Sequence, residues 1–206
     1  MTQKSKTREY IESLIIAAII AFLVRGFIVQ AFKIPSSSME QTLLIGDHLL
    51  VNRLSYVMKL PFTDIVLLRL GNPERGDVVV FRYPVDRSKD FIKRVVAKEG
   101  DVVEIRDKAV FVNGKETQNP HAQYLEPTII PAQFSKRDNM PPVTVPKDSY
   151  FVMGDNRDRS LDSRFWGFVH RDDLVGRALI IYFSWDTEAD SILGHVRWSR
   201  IGKLIN

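Results

Sequence analysis

Three serines follow directly after a long apolar segment near the N-terminus, in residues 34–39 (sequence IPSSSM). A serine hydroxyl becomes a nucleophile when a neighbouring base removes its proton. Proline and serine are also ordinary turn formers, so this segment alone does not predict catalysis. The chain has no Gly-x-Ser-x-Gly sequence, which argues against an α/β-hydrolase.

Lys93 is a candidate base for such a serine. Strand alternation along residues 91–97 places Lys93 on the same face as the apolar residues Phe91, Val95 and Ala97. If the ammonium is buried there, desolvation lowers its pKa from the ordinary value of about 10.4, and the lysine becomes a usable general base. The alternative is an edge-strand lysine whose charged end reaches water.

A third segment, residues 154–167, combines turn-forming residues with both signs of charge. It is not an EF-hand calcium loop, because Arg157 and Arg159 occupy positions where oxygen ligands would be needed. It is either a solvated turn with exposed Asp–Arg pairs or an ordered loop whose bidentate pairs position a hydroxyl such as Ser160.

Composition narrows the function classes. The 206 residues suit one globular domain with a short appendage. The net charge of +4 is spread over 29 basic and 25 acidic residues, so no nucleic-acid partner is expected. The chain has no cysteine, which excludes disulfides and thiol chemistry, and its four histidines lack metal-ligand spacing. We therefore expect no metal and no cofactor, whereas a serine with a histidine base stays open without a local motif.

The N-terminal region predicts a membrane anchor. Lys4, Lys6 and Arg8 precede a run from Ser13 to Phe32 in which Arg25 is the only charged residue. As a helix this run would be about 30 Å long, the thickness of a hydrocarbon core. The basic cluster predicts a cytoplasmic N-terminus at residues 1–9, an anchor with an interfacial segment at 10–32, and a domain at 33–206 on the outer side.

The anchor has two alternatives. Arg25 is tolerable if it snorkels, with residues 14–24 deep in the bilayer and 26–32 in the outer interface. A cleavable signal sequence would use Val29 and Ala31 at −3 and −1, but that site lies far beyond the apolar core. A buried soluble helix is disfavoured because residues 15–20 leave no polar face.

After the anchor the pattern predicts a mainly β domain of several antiparallel sheets, because short Val-, Ile-, Phe- and Tyr-rich runs recur between turn signals. Residues 114–147 contain six prolines and are predicted to form a variable surface excursion. The tail at 192–206 is interpreted as a peripheral strand or helix rather than a membrane contact. The predicted strands are His48–Asn52, Asp77–Tyr83, Phe91–Ala97, Val102–Ile105, Ala109–Val112, Ser149–Met153 and Leu174–Phe183.

Taken in order, these segments resemble the type I bacterial signal peptidases, membrane serine proteases that remove signal peptides from exported proteins. The matching segments are the anchor, residues 34–39, residues 44–47 (LIGD), residues 75–81 (RGDVVVF), residues 91–95 (FIKRV) and residues 154–167. The excursion and the extreme tail fall outside the resemblance. It implies a protein of the bacterial cytoplasmic membrane that acts on exported preproteins at the bilayer surface. The best-known members of the family have two membrane spans, whereas this chain shows room for one, as in the single-span members.

The resemblance also implies residue roles. Ser38 would attack the scissile carbonyl, and Lys93 would take the hydroxyl proton and return it to the leaving amine. Ser36, with the Ser38 backbone N–H, would form the oxyanion hole. Ser160 would orient the lysine. Structural support would come from Asp155, Asp162 and Arg164.

One residue departs from the family pattern. Many members carry proline before Thr42, where this chain has Gln41. Proline would fix φ at that position, so the change is expected to loosen the turn after Ser38 without removing a catalytic atom.

Two other functions remain as alternatives. A soluble self-cleaving repressor of the SOS type shares the Ser–Lys plan, but it would need a DNA-binding helix-turn-helix where residues 1–33 form an apolar span. A catalytically inert, membrane-tethered β module would give no reason for the serine, the lysine and the loop hydroxyls to occur together.

Overall fold

The computed structural model describes residues 6–60, 63, 65–189 and 194–206. Lys4 of the predicted basic cluster and Ile192 of the predicted tail therefore lie outside the described residues. The described helices and short helical turns are α1 (Lys6–Leu23), a π-helical turn (Val24–Ile28), α2 (Ser163–Trp166) and three 3-10 turns (Ser37–Met39, Arg171–Asp173 and Trp198–Arg200).

The N-terminal helix is exposed over its length. Lys6–Ile28 is, among the described residues, the one helix long and apolar enough to cross a membrane. None of the residues of α1 is buried, and its Leu14 side chain is 73% exposed. The alternative of a buried soluble helix is therefore wrong, because no protein core covers these apolar side chains.

The anchor gives way to a strand earlier than the predicted boundary at residue 32. Strand β1 (Val29–Lys33) pairs antiparallel with β2 (Asp47–Asn52), from Val29 opposite Asn52 to Lys33 opposite His48. The change is not visible in hydrophobicity, because the residues remain mostly apolar across it. Cleavage after Ala31 would remove most of β1 from the sheet, which argues against the cleavable signal sequence.

The domain that follows is built from antiparallel strands, as the sequence predicts. All seven predicted strands are present, and each bound differs from the predicted one by at most one residue. Beyond β1 and β2, the strands are β3 (Val57–Lys59), β4 (Val66–Arg69), β5 (Val78–Arg82), β6 (Asp90–Lys98), β7 (Val102–Arg106), β8 (Ala109–Val112), β9 (Lys115–Glu116), β10 (Met140–Thr144), β11 (Ser149–Met153), β12 (Val169–His170) and β13 (Leu174–Ser184).

Among the described residues, these strands form three sheets. A seven-stranded sheet has the order β1-β2-β13-β5-β6-β11-β12, a four-stranded sheet the order β10-β7-β8-β9, and β3 pairs with β4 as a hairpin. Three apolar clusters fill the core. The large sheet matters most for function, because it holds both β1, which leads to Ser38, and β6, which carries Lys93.

Two short strands, β9 and β10, lie inside the predicted proline-rich excursion. Strand β10 is at the edge of the four-stranded sheet, and its pairing with β7 shifts register between Met140 and Val143. Pro141 and Pro142 lie within that irregularity, where a missing N–H interrupts no ladder. The rest of the excursion is tied to the domain, since Asp158 accepts hydrogen bonds from the backbone N–H groups of Leu125 and Glu126 at 2.7 and 2.8 Å.

Candidate active site

Ser38 is fixed at the end of β1 by its neighbours. Ile34 and Met39 on either side of the serine turn are buried in one apolar cluster. Ser38 itself lies in the 3-10 turn Ser37–Met39 and is only 8% exposed. The serine turn is therefore held by packing on both sides.

Lys93 reaches this serine from β6. Its Nζ donates hydrogen bonds to Ser38 Oγ at 2.7 Å and to the Ile92 carbonyl at 2.9 Å. Lys93 pairs across the sheet with Val79, and its Nζ lies 5.4 Å from the centroid of the Phe91 ring. The apolar face predicted from alternation is confirmed, and the alternative of a solvated edge lysine is wrong because Lys93 is 4% exposed.

Burial gives Lys93 the electrostatics of a base. Desolvation lowers the pKa of Lys93 to about 8, although the negative charges of Asp162 and Asp155 act in the opposite direction. A substantial fraction of the side chains is then neutral near physiological pH, whereas an unshifted lysine is almost wholly charged. A neutral amine 2.7 Å from a hydroxyl can accept its proton.

Ser36 lies beside the nucleophile candidate. Its Oγ is 3.5 Å from Ser38 Oγ, with either hydroxyl able to donate. Ser36 is exposed where Ser38 is buried. Ser36 is therefore accessible from solvent, the side from which a substrate carbonyl could approach.

Ser160 is close to the site but is not bonded to the lysine. Its hydroxyl is buried and has no hydrogen-bond partner among the described residues. A Cβ at Gly154 would lie 2.2 Å from Ser160 Oγ and 2.4 Å from the Ser38 carbonyl oxygen. Gly154 therefore allows the Ser160 loop to pack directly against the serine turn.

Asp162 and Arg164 form the pair that organises this loop. Arg164 donates from Nε and Nη2 to the two carboxylate oxygens of Asp162 at 2.8 and 2.9 Å. Burial raises the pKa of Asp162, but the Arg164 guanidinium and the Gly154 N–H outweigh it and hold that pKa below its ordinary value. Arg164 also donates to the Arg157 carbonyl at 2.7 Å, so one buried ion pair closes the loop on itself.

Asp155 has a different partner. Its carboxylate accepts hydrogen bonds from Arg94 at 2.8 and 2.7 Å and from the Thr42 hydroxyl at 2.6 Å. Sequence reasoning did not single out Arg94 or Thr42. The available signal was Arg94 itself. Alternation that puts Lys93 on one apolar face of the strand puts Arg94 on the opposite face. A charge that is buried on that face needs a partner.

The turn that contains Gln41 does not show the loosening that was expected after Ser38. Glu40 has φ −55° and ψ 146°, Gln41 has φ 81°, and Thr42 N donates to the Met39 carbonyl at 3.1 Å. These values define a hydrogen-bonded type II turn with Gln41 at its third position. Proline cannot adopt this positive φ, so the turn differs in conformation from one built on proline and is not a loosened form of it.

Comparison with known proteins gives the family. The family model described as "Signal peptidase, peptidase S26" matches residues 7–185. Signal peptidase I of Pseudomonas fluorescens is 37% identical over 94% of this chain and 78% of its own length. That of Aquifex aeolicus is 35% identical over 86% of this chain and 84% of its own length. The chain belongs to the signal peptidase S26 family.

A crystal structure of signal peptidase I from Enterococcus faecalis is also similar, with 30% identity, a TM-score of 0.41, and coverage of 52% of this chain and 96% of that chain. The family assignment rests on the sequence matches. As a signal peptidase this chain is a hydrolase, and with its exposed apolar helix it is membrane-anchored.

Proposed function

We propose that this signal peptidase cleaves its precursors with Ser38 as nucleophile and Lys93 as general base. The observation that carries the proposal is the 2.7 Å contact between Lys93 Nζ and Ser38 Oγ. Neutral Lys93 removes the hydroxyl proton as Ser38 Oγ bonds to the scissile carbonyl carbon, and the resulting ammonium returns the proton to the leaving amine. The same lysine then activates a water molecule, which hydrolyses the acyl ester and regenerates Ser38.

The oxyanion formed in each step needs donors. Ser36 Oγ and the Ser38 backbone N–H are the groups proposed here. The Ser38 N–H belongs to the first turn of a short helix, where N–H groups lack partners within the helix. A single such donor is worth about 2.7–4 kcal/mol of transition-state stabilisation in other enzymes.

A substrate cleft is supported by two open strand edges that meet at the dyad. Strand β1 is the terminal strand of its sheet, and β11 pairs with β6 only from Arg94 onward. By antiparallel alternation the outward backbone groups are those of Val29, Ala31 and Lys33 on β1 and of Asp90 and Ile92 on β6. The Lys93 ammonium binds the outward carbonyl of Ile92. An extended peptide between these edges could pair with both strands.

The direction of the strands suits a precursor that arrives from the bilayer. Strand β1 runs from the anchor to Ser38. Strand β6 runs in the same sense toward Lys93, because the four pairings that connect the two strands in the sheet are all antiparallel. A signal peptide parallel to both would pass from membrane to cleavage site in the same sense. Phe32 and Ile92 pack beside the apolar cluster of Ile34, and we propose that this apolar wall contacts small side chains at −1 and −3.

The same reasoning gives the topology. With the N-terminus in the cytoplasm, the domain and its cleft lie on the outer side of the bacterial cytoplasmic membrane, where exported preproteins emerge. Protease added to intact spheroplasts should then digest the domain. Protection of the region after residue 33 until the membrane is lysed would contradict this orientation.

The dyad is tested by cleavage of an exported precursor with the full chain in detergent. Ser38→Ala and Lys93→Ala should each reduce cleavage to background while the melting temperature stays close to, or above, that of the wild type. The controls Ser37→Ala and Lys98→Ala change neighbouring residues of the same turn and strand and should retain cleavage. Activity within a few-fold of the wild type in either dyad variant, or equal losses in the controls, would reject the proposed roles.

A further inference from the structure

A cavity lies where the anchor meets the domain. Its volume is about 340 Å³, and it is bordered by the end of the membrane helix, by β1 and by the neighbouring part of the large sheet. Its described lining residues include Phe22, Gly26, Gln30, Ala31, Thr63 and Val175, together with five charged residues. The cavity is therefore placed at the depth where a bilayer surface meets the protein.

The described residues that line this cavity carry more positive than negative charge. The cationic lining residues are Arg25, Arg53, Lys59 and Arg82, against the single described acidic residue Asp90. Asp90 is already engaged, since its carboxylate lies 3.5 Å from Arg82 Nε. Among the described lining residues, four side chains are cationic and one is acidic.

Arg53 is the residue that points to a ligand. Its backbone N–H donates to the Ile28 carbonyl at 2.9 Å, which fixes it beside the last turn of the anchor. Its side chain is half-buried, and no carboxylate within the described part of the chain pairs with it. Burial and the nearby positive charge of Arg82 lower its pKa, although Asp90 acts in the opposite direction. Burying a charged guanidinium without a counter-charge costs free energy unless an anion binds to it.

We propose that this cavity binds the phosphate of an anionic phospholipid, with Arg53 as the central contact. Guanidinium groups bind phosphate oxygens through paired, charge-assisted hydrogen bonds. The position argues for a lipid rather than a soluble anion. Phe22, 55% exposed on the anchor helix, lines the same cavity, so a bound headgroup would leave its acyl chains along the apolar surface of α1.

Such a site would set the height of the domain above the bilayer. Gln30 and Ala31 border the cavity on β1, seven or more residues before Ser38. A lipid fixed there would hold the membrane-facing end of β1 at the headgroup level. This lipid site goes beyond the proposed peptidase chemistry. None of its lining residues belongs to the dyad, although Ala31 and Asp90 also lie on the strand edges proposed to bind the signal peptide.

Native mass spectrometry of the full chain in detergent provides the test. Equal amounts of phosphatidylglycerol and phosphatidylcholine are offered, and we expect the wild type to retain phosphatidylglycerol preferentially. Arg53→Gln should reduce that retention about five-fold, the loss expected for one charge near a lipid phosphate. Lys115→Gln removes one exposed positive charge from the distant β9 and should change nothing. Melting temperatures show that each variant is folded, and Arg25→Gln serves as a second lining variant.

Three results would overturn the proposal. One is equal retention of the two lipids by the wild type. Another is unchanged phosphatidylglycerol retention in both Arg53→Gln and Arg25→Gln. The third is displacement of the lipid by free glycerol phosphate at comparable concentration, which would identify a soluble anion as the ligand.

Discussion

Arg94 and Asp155 form a buried bidentate ion pair one residue away from Lys93 along β6. Arg94 Nε and Nη2 lie 2.8 and 2.7 Å from the two carboxylate oxygens, and neither side chain is more than 5% exposed. The Thr42 hydroxyl donates to the same carboxylate at 2.6 Å. The pair joins the strand that carries Lys93, the turn that follows Ser38, and the loop that carries Ser160.

Removing one member of this pair should destabilise the protein strongly. Arg94→Met leaves the Asp155 carboxylate buried without its counter-charge, and such a change costs about 3–5 kcal/mol. Asp155→Leu should have a similar effect, because it leaves the Arg94 guanidinium buried without its counter-charge. The double variant Arg94→Met/Asp155→Leu should lose less than the sum of the single losses, because no unpaired charge remains.

Thermal unfolding of the four proteins in detergent measures this coupling. The exposed pair of Lys89 and Asp86, with 2.8 Å between Nζ and Oδ2, is the control and should show little coupling. Additive losses for Arg94 and Asp155 would mean that the pair does not act as a unit.

Cleavage should follow the titration of Lys93. Because burial lowers the pKa of Lys93 to about 8, the fraction of neutral base rises between pH 7 and pH 9 and then levels off. The initial rate of precursor cleavage, measured at substrate concentrations well below KM, should show this rise and plateau. A rate that keeps increasing in proportion to hydroxide beyond pH 10 would indicate an ordinary lysine pKa and count against the proposed base.

The burial of Lys93 should also lower the stability of the folded protein. The unfolded chain holds the Lys93 proton up to about pH 10.4, whereas the folded chain releases it near pH 8, so stability rises with pH between these values. Below pH 8 the full penalty applies, on the order of 3 kcal/mol for a shift of this size. Lys93→Met should therefore melt higher than the wild type at pH 7, and the gain should shrink by pH 10. A variant that melts lower at both pH values would show that Lys93 contributes net stability.

A structural feature could be predicted from the sequence when the residues that cause it are neighbours in the chain. The apolar face of Lys93 follows from alternation along seven residues, so it was correct. The Arg94–Asp155 contact joins residues 61 apart in the chain, and no local pattern reports which carboxylate a buried arginine meets. The roles of Ser36 and Ser160 came from family resemblance, because neither hydroxyl has a distinguishing local environment in the sequence.

The ends of the helices and strands were harder to predict than their presence. The start of β1 at Val29 lies inside a mostly apolar run, because the lipid around the anchor and the strand β2 beside β1 both accept apolar residues. The positive φ of Gln41 was invisible because glutamine rarely adopts that conformation. Strand β10 was missed because its two prolines argue against a regular ladder, and the structure places them at an edge irregularity.

Gln41 offers a direct test of the turn after the serine. Gln41→Gly should stabilise the protein by roughly 0.5–1 kcal/mol, because glycine adopts the φ of 81° without the left-handed penalty. Gln41→Pro should destabilise it and reduce cleavage, since proline holds φ near −65° and the turn must rearrange. Gln41→Ala is the control that keeps a Cβ. If proline were as stable as glutamine and fully active, the type II turn would not be needed for the site.

Gly154 is expected to be the least replaceable residue of the loop. In Gly154→Ala the new Cβ would lie 2.2 Å from Ser160 Oγ and 2.4 Å from the Ser38 carbonyl oxygen, so the loop and the serine turn must separate. Overpacking of this kind costs about 1–3 kcal/mol, and a displacement of about 1 Å at a reacting group lowers kcat by around 100-fold. Adding Ser160→Gly removes the first contact but leaves the backbone contact with Ser38. The double variant should therefore remain impaired in kcat, whereas recovery to the level of Ser160→Gly alone would show that the serine turn can yield and that only the Ser160 side chain excludes a Cβ.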